Sequence, residues 1–147
     1  MDLVSVRFVR AALIWLVLGF GLGALMLSDE LIAGHWRIWF GPTHGHMLFV
    51  GWFLQFAIGI GYWLLPRKRS PERPYGYDAR LATTAMILLN TGLILRVLAE
   101  PIGRMGYDGS IDDWILAVSA LLQVAAILII VSQIWQRIIP RVARTAE

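Results

Sequence analysis

The chain has 147 residues, of which 58% are hydrophobic, and its 13 basic and 10 acidic residues leave a net charge of +3. Its mean hydropathy of +0.65 and its long apolar runs differ from a soluble domain, whose helices carry polar residues in rhythm. It contains no cysteine, which excludes disulfides, thiolate metal sites and cysteine nucleophiles. We expect a membrane protein that keeps its first apolar run as an anchor, because no small-residue cleavage site follows that run.

Four apolar runs are long enough to cross a bilayer. They cover residues from about 8 to 27, 43 to 65, 81 to 98 and 114 to 135. A helix needs roughly 20 apolar residues to cross the hydrocarbon, and only helices satisfy the backbone within runs of this kind. No repeat or soluble domain interrupts them. The predicted fold is all-α: one polytopic membrane domain, residues 1–147, forming a four-helix bundle.

The basic residues predict the orientation of the bundle. Positive residues concentrate on the cytoplasmic side of a membrane protein. Here they lie at both termini and in the loop between the second and third helices, which are therefore predicted to be cytoplasmic. The opposite connections hold Arg37 and Arg104 but six acids. We therefore expect a bacterial inner-membrane protein with both termini in the cytoplasm, and no nucleic-acid partner. The ten inner basic residues are Arg7, Arg10, Arg67, Lys68, Arg69, Arg73, Arg80, Arg137, Arg141 and Arg144.

The first helix carries the sequence GFGLG, from Gly19 to Gly23, and the outer connection after it carries His35. Glycines on one face of a membrane helix allow a second helix to approach closely. They also leave space for a flat or bulky ligand. Both interpretations stay open for this segment.

The second helix holds the other two histidines, His44 and His46, just after Pro42 at its outer end. Side chains two residues apart point about 200° around a regular helix, so one such helix cannot direct both imidazoles at one metal ion. The face that continues beneath His44 includes Gly51 and Gln55. Packing against another helix and contact with a cofactor are the two interpretations of that face.

The third helix places a charge inside the membrane. Arg96 lies about 24 Å above Arg80 along a regular helix, which brings it to the depth of His44. A charged group at that position needs a partner and indicates a functional site by default. Glu100, four residues later, is one candidate; the carboxylates of a bound cofactor are another. The amides Gln55, Asn90 and Gln123 are predicted to be satisfied by hydrogen bonds between helices.

The sequence THGHMLF followed by GWFLQFAIGIGYWLLPR, in the second helix, resembles a helix of the heme-copper oxidase catalytic subunit. It is also similar to short four-helix relatives of that subunit and to NO-response membrane proteins of the NnrS type. The resemblance implies that His44 ligates a low-spin heme near the outer face and that Pro66 ends the helix. It also gives Arg96 the role of an arginine that holds heme propionates.

The resemblance implies a b-type heme protein that transfers electrons or binds a diatomic gas, NO or O₂. The chain lacks the later histidines that hold the high-spin heme and copper, so by itself it is not a complete oxygen reductase. The second axial ligand is open. It could be His46 reaching a neighbouring subunit, His44 of a second copy in a homo-oligomer, or His35 from the loop; an open sixth position is the remaining option.

Two alternatives do not need heme. His35, His44 and His46 could together hold copper or zinc, for which imidazole is a suitable ligand, with Met26 and Met47 as thioethers that favour Cu(I). Alternatively, the chain could be a cofactor-free accessory subunit that packs in the bilayer against a respiratory complex.

Overall fold

In the computed structural model, which describes residues 1–28, 34–66, 70–71, 73–106 and 109–138, the chain is all-α and 83% helical. Four helices are long and apolar enough to cross a membrane, which confirms the predicted four-helix fold of a multi-pass membrane protein. They are α1 (Leu3–Leu27), α2 (Trp36–Leu64), α3 (Ala79–Arg104) and α4 (Ser110–Trp135).

The helices extend beyond the predicted apolar runs because polar caps, rather than hydropathy, define their ends. The Asp2 carboxylate accepts from the Ser5 N–H and begins α1. Asp78 accepts from the backbone N–H groups of Arg80 and Leu81 and begins α3. α2 begins at Trp36, ahead of the predicted start near residue 43, and α3 continues through Pro101 to Arg104.

The helices pack as two pairs, α1 with α2 and α3 with α4, and the pairs meet mainly through α2 and α3. Small residues allow the close approaches. A Cβ on Gly59 would lie 3.0 Å from Phe8 Cβ, and one on Gly92 would lie 2.8 Å from the Ser119 carbonyl oxygen. These glycines serve helix packing. The largest core side chains are Phe8, Tyr62, Leu89 and Leu93.

The inner end of the bundle, where α1 and α3 begin and α2 and α4 end, is closed by Arg137. This side chain is completely buried. Its guanidinium donates to the carbonyl oxygens of Tyr62, Leu65 and Pro66 at 2.9, 2.6 and 3.0 Å and lies over the Tyr77 ring. Arg137 therefore caps the C-terminus of α2, a structural role that its place among the orienting basic residues did not indicate.

The other residues used for orientation divide between the described and undescribed parts of the chain. The described ones at the inner end are Arg7, Arg10, Arg73 and Arg80. Outside the described residues lie Arg67, Lys68, Arg69, Arg141 and Arg144, together with the acids Asp29, Glu30 and Asp108. The positive-inside orientation therefore stays a prediction from sequence.

Candidate functional site

The outer half of α2 departs from regular α-helical geometry. Residues Met47–Leu54 are π-helical, with hydrogen bonds that span five residues instead of four. A π-helical segment changes which side chains share a face. The side chains predicted to continue one face beneath His44 are therefore directed to different neighbours, and such segments are frequent at functional sites.

His44 packs against α1. Its Nδ1 lies 3.0 Å from the Gly19 carbonyl oxygen, and its Cε1 lies where a Cβ on Gly23 would be only 2.8 Å away. Because a carbonyl oxygen can only accept, Nδ1 carries the proton in this hydrogen bond. In the neutral ring the lone pair is then on Nε2, which makes no hydrogen bond to the described part of the chain. A histidine ligand to a metal is commonly oriented by this kind of bond.

His44 lines an open cavity of about 470 Å³ between α1 and α2. The wall formed by the described residues is almost entirely apolar, and Arg37 is the charged residue among them. Arg37 is exposed, and its Nε donates to the Met26 carbonyl oxygen at 3.1 Å. The cavity lies at the outer end of the bundle and is lined by Phe20, Gly23, Ala24, Met26, Leu27, Arg37, His44 and Leu48.

His46 faces α3 instead. Its Nδ1 lies 3.4 Å from Glu100 Oε2, the oxygen that also accepts from Thr43 Oγ1 at 3.1 Å. The other oxygen, Oε1, lies 3.9 Å from Arg96 Nε. Glu100 is thus surrounded by one hydroxyl, one imidazole and one guanidinium in a mostly buried position. The two histidines point to different helices, as their spacing predicted.

Arg96 therefore has the ion-pair partner predicted on its own helix. It is not in the wall of the cavity beside His44. The residue at that wall with the chemistry to hold a carboxylate is Arg37, which sequence reasoning had counted only for orientation. Arg96 as a propionate partner stays a prediction that this arrangement does not favour.

His35 lies at the N-terminus of α2, exposed, with its ring edge against Trp39 at 5.7 Å between centroids. Within the described residues, no group of three His, Asp or Glu side chains is placed to hold a metal ion. His44 and His46 contact different helices, and the described residues do not bring all three histidines together as one metal site. The predicted three-imidazole copper or zinc site would require a different arrangement of α2.

Gly51 and Gln55 contact protein rather than the cavity. A Cβ on Gly51 would lie 2.7 Å from Trp15 Cγ and 2.9 Å from Leu93 Cδ2, so this glycine accommodates packing. Gln55 is fully buried and exchanges two hydrogen bonds with Asn90, at 2.9 and 3.2 Å. The Trp15 indole N–H also donates to Asn90 Oδ1 at 2.8 Å. Their assignment as cofactor-binding residues stays a prediction, and the space beside them is filled.

The predicted interhelical bonding of the amides is present for two of the three. Gln55 and Asn90 join α2 to α3. Gln123 donates to Ser119 on its own helix, and the Ser119 hydroxyl donates to the Gly92 carbonyl oxygen of α3. The link between α3 and α4 therefore runs through serine.

Comparisons with protein families, with curated proteins and with solved structures found no match. The resemblance to the heme-copper oxidase subunit consequently rests on the residues of α2 alone. Any functional assignment must come from the chemistry of the cavity beside His44.

Proposed function

We propose that the chain binds a b-type heme in the cavity between α1 and α2, with His44 as the axial ligand. The proposal rests on one observation: the Nδ1 bond to Gly19 leaves Nε2 as the ligating nitrogen of an imidazole that lines an open apolar cavity. Its volume is within the range of small-molecule sites.

The cavity wall matches the chemistry of a heme. Apolar side chains suit the macrocycle, one imidazole suits the iron, and the Arg37 guanidinium suits a propionate. Because Gly23 has no side chain, the imidazole ring of His44 can lie close to α1 at that position. In this assignment Arg37 replaces Arg96 as the carboxylate partner.

The residues that line the cavity favour binding of a diatomic gas over electron transfer through a heme that is ligated by two histidines. All three histidines are in the described part of the chain, and of these His44 alone lines the cavity: His46 contacts Glu100, and His35 is exposed at the N-terminus of α2. A heme with one histidine ligand and an open sixth position binds NO, CO or O₂. Electron transfer through a six-coordinate heme would need a second ligand, either from another copy of the chain or from Met26 in the same wall.

The test is an absorption spectrum of protein expressed with heme supply and purified in mild detergent, oxidised and then reduced with dithionite. We expect a Soret band that shifts when CO is added. His44→Ala should abolish the band, whereas His46→Ala, a matched control on the same helix, should keep it. Sharp reduced bands unchanged by CO would indicate six-coordinate iron and electron transfer.

Retention of full heme by the His44→Ala variant would refute the ligand assignment. A wild-type protein without a Soret band would refute the heme. Metal analysis would then distinguish the copper or zinc protein from the cofactor-free accessory subunit.

We also propose an inner-membrane location with both termini in the cytoplasm, supported by Arg7 and Arg10 near the start of α1 and by the basic residues of the connection before α3. Because the native chain has no cysteine, single cysteines report topology without background. A cysteine at Gly109 should react with an impermeant maleimide added to spheroplasts, and one at Ser70 should react only after lysis. The reverse pattern would invert the orientation.

A further inference from the structure

A second cavity of about 470 Å³ lies at the inner end of the bundle, between the first turns of α1 and α3. Leu3 and Arg7 of α1 line one side, and Arg80 and Thr83 of α3 line the other. Tyr75, from the connection before α3, also lines it. Since both helices begin their apolar spans here, the cavity lies where hydrocarbon gives way to headgroups.

The two arginines of this inner cavity are unpaired within the described chain. Arg7 and Arg80 are exposed, and neither side chain makes a hydrogen bond or an ion pair with the described residues. Asp2 is the acid in the lining, and its carboxylate accepts from the Ser5 N–H and the Tyr77 hydroxyl. Two guanidiniums from different helices therefore line one space, and the carboxylate among its described lining residues, Asp2, is already engaged.

This combination matches a phosphate ester attached to an acyl chain. Guanidinium groups bind phosphate oxygens through paired hydrogen bonds, and a tyrosine suits the interface between lipid and water. Leu3 is 63% exposed at the same wall, so the site also presents apolar surface to an acyl chain. Basic pockets between membrane helices on the cytoplasmic side bind anionic headgroups in this way.

We propose that the inner cavity binds the headgroup of an anionic phospholipid, with Arg7 and Arg80 on the phosphate. This site is separate from the cavity beside His44 and does not depend on heme. A free phosphate ion shares the headgroup chemistry, but it would make no use of the exposed Leu3 at the wall.

The experiment is native mass spectrometry of the full chain released from nanodiscs containing phosphatidylcholine and phosphatidylglycerol. We expect retained phosphatidylglycerol on the wild-type protein. The double variant Arg7→Gln, Arg80→Gln should bind it roughly 20- to 30-fold more weakly, from the usual contribution of a basic residue near an anionic surface. The matched control is Arg10→Gln, Arg73→Gln, which removes the same charge at exposed inner-end positions outside the cavity lining.

The control variant decides whether binding is local. Unchanged retention by the control, with loss in the Arg7, Arg80 variant, supports the site. Equal loss in both variants would mean diffuse attraction to basic charge and would overturn it, as would no loss in either. Inorganic phosphate that binds the detergent-solubilised protein and removes the retained lipid at millimolar concentration would reassign the site to a free anion.

Discussion

The two ends of the bundle use polar side chains in opposite ways. At the inner end, Arg137 is completely buried, and its Nε and Nη2 donate to the carbonyl oxygens that end α2. At the outer end, His44 lines an open cavity and uses one ring nitrogen for Gly19, and the other makes no hydrogen bond to the described residues. A buried group that is bonded to several backbone acceptors stabilises the fold, whereas a ring nitrogen without a protein partner, on a residue that lines open space, can take a ligand. Stability and ligand binding should therefore respond to different substitutions.

The largest loss of stability is expected from Arg137→Met, which keeps an unbranched stem as far as the position of Nε and removes every donor. The three carbonyl oxygens that end α2 then lose a charged partner in a buried setting, at a cost of about 3 kcal/mol or more. Arg137→Lys should fall between, since one ammonium cannot replace a planar guanidinium at three acceptors. The measurement is the free energy of unfolding in a detergent–SDS titration followed by circular dichroism.

Arg10→Gln is the control for that titration, because Arg10 is exposed at the same end of the molecule. It should change the free energy of unfolding by less than about 0.5 kcal/mol. If Arg137→Met were as mild as the control, the buried cap would not contribute to folding.

A smaller loss is expected in the middle of the bundle, from Asn90→Leu. This change removes both hydrogen bonds between Gln55 and Asn90 and the acceptor of the Trp15 indole, whereas Gln55 keeps its bond to the Gly51 carbonyl oxygen. Hydrogen bonds between membrane helices contribute about 0.6 to 1.7 kcal/mol, so we expect about 1 to 2 kcal/mol for the group. In the Asn90→Leu variant, Gln55→Leu should cost less free energy of unfolding than it costs in the wild-type chain, because the two amides already have no bond to each other. Strict additivity of the two changes would argue against the pairing.

The sequence predicted that four spans exist because hydropathy identifies them, whereas polar caps, which hydropathy does not register, define where the helices begin. It also indicated that a regular helix would direct His44 and His46 apart, and it offered Glu100 as one of two candidate partners for Arg96. It could not predict the cap formed by Arg137, since the chain gives that arginine the same context as Arg141 and Arg144. Nor could it place Gly51 and Gln55, because the π-helical segment Met47–Leu54 alters the periodicity on which the prediction depended.

The pH dependence of stability should reflect the inner end. Burial alone would raise the pKa of Asp2, but hydrogen bonds from Tyr77 and Ser5 outweigh it and hold that pKa below its usual value. Burial, then the bond to Asp2, raises the pKa of Tyr77. The ionised Asp2 carboxylate therefore stabilises the fold at pH values above the usual aspartate pKa of about 4, and its contribution is lost as the pH falls below that value. The neutral Tyr77 hydroxyl stabilises the fold at pH values below the usual tyrosine pKa of about 10, and its contribution is lost as the pH rises above that value.

Tyr77→Phe tests this assignment. It should remove the alkaline loss and reduce the acid loss, because Asp2 no longer accepts the phenol hydrogen bond that holds its pKa below the usual value. The measurement is the unfolding midpoint from pH 3 to 11, with Tyr75→Phe, a change at an exposed neighbour, as control. An alkaline limb that is identical in the Tyr77→Phe variant would assign that limb to another group.

The smallest change in stability, with a large change in binding, is expected from Gly23→Ala. The new Cβ would lie 2.8 Å from His44 Cε1, at the far end of a side chain that can rotate away, so the packing cost is small. Alanine also favours the helix over glycine by about 0.5 to 1 kcal/mol, which offsets that cost.

Gly21→Ala is the matched control, because a Cβ there meets nothing within 4 Å and gains the same helix propensity. The two variants should unfold alike, yet Gly23→Ala should weaken heme binding about 10- to 100-fold, the usual effect of disturbing the group that orients a metal ligand. Equal heme affinity in both would mean that the imidazole position set by Gly19 and Gly23 does not matter for binding. The outer end would then differ from the inner end only in being less well packed, and the assignment of the cavity beside His44 as the heme site would be wrong.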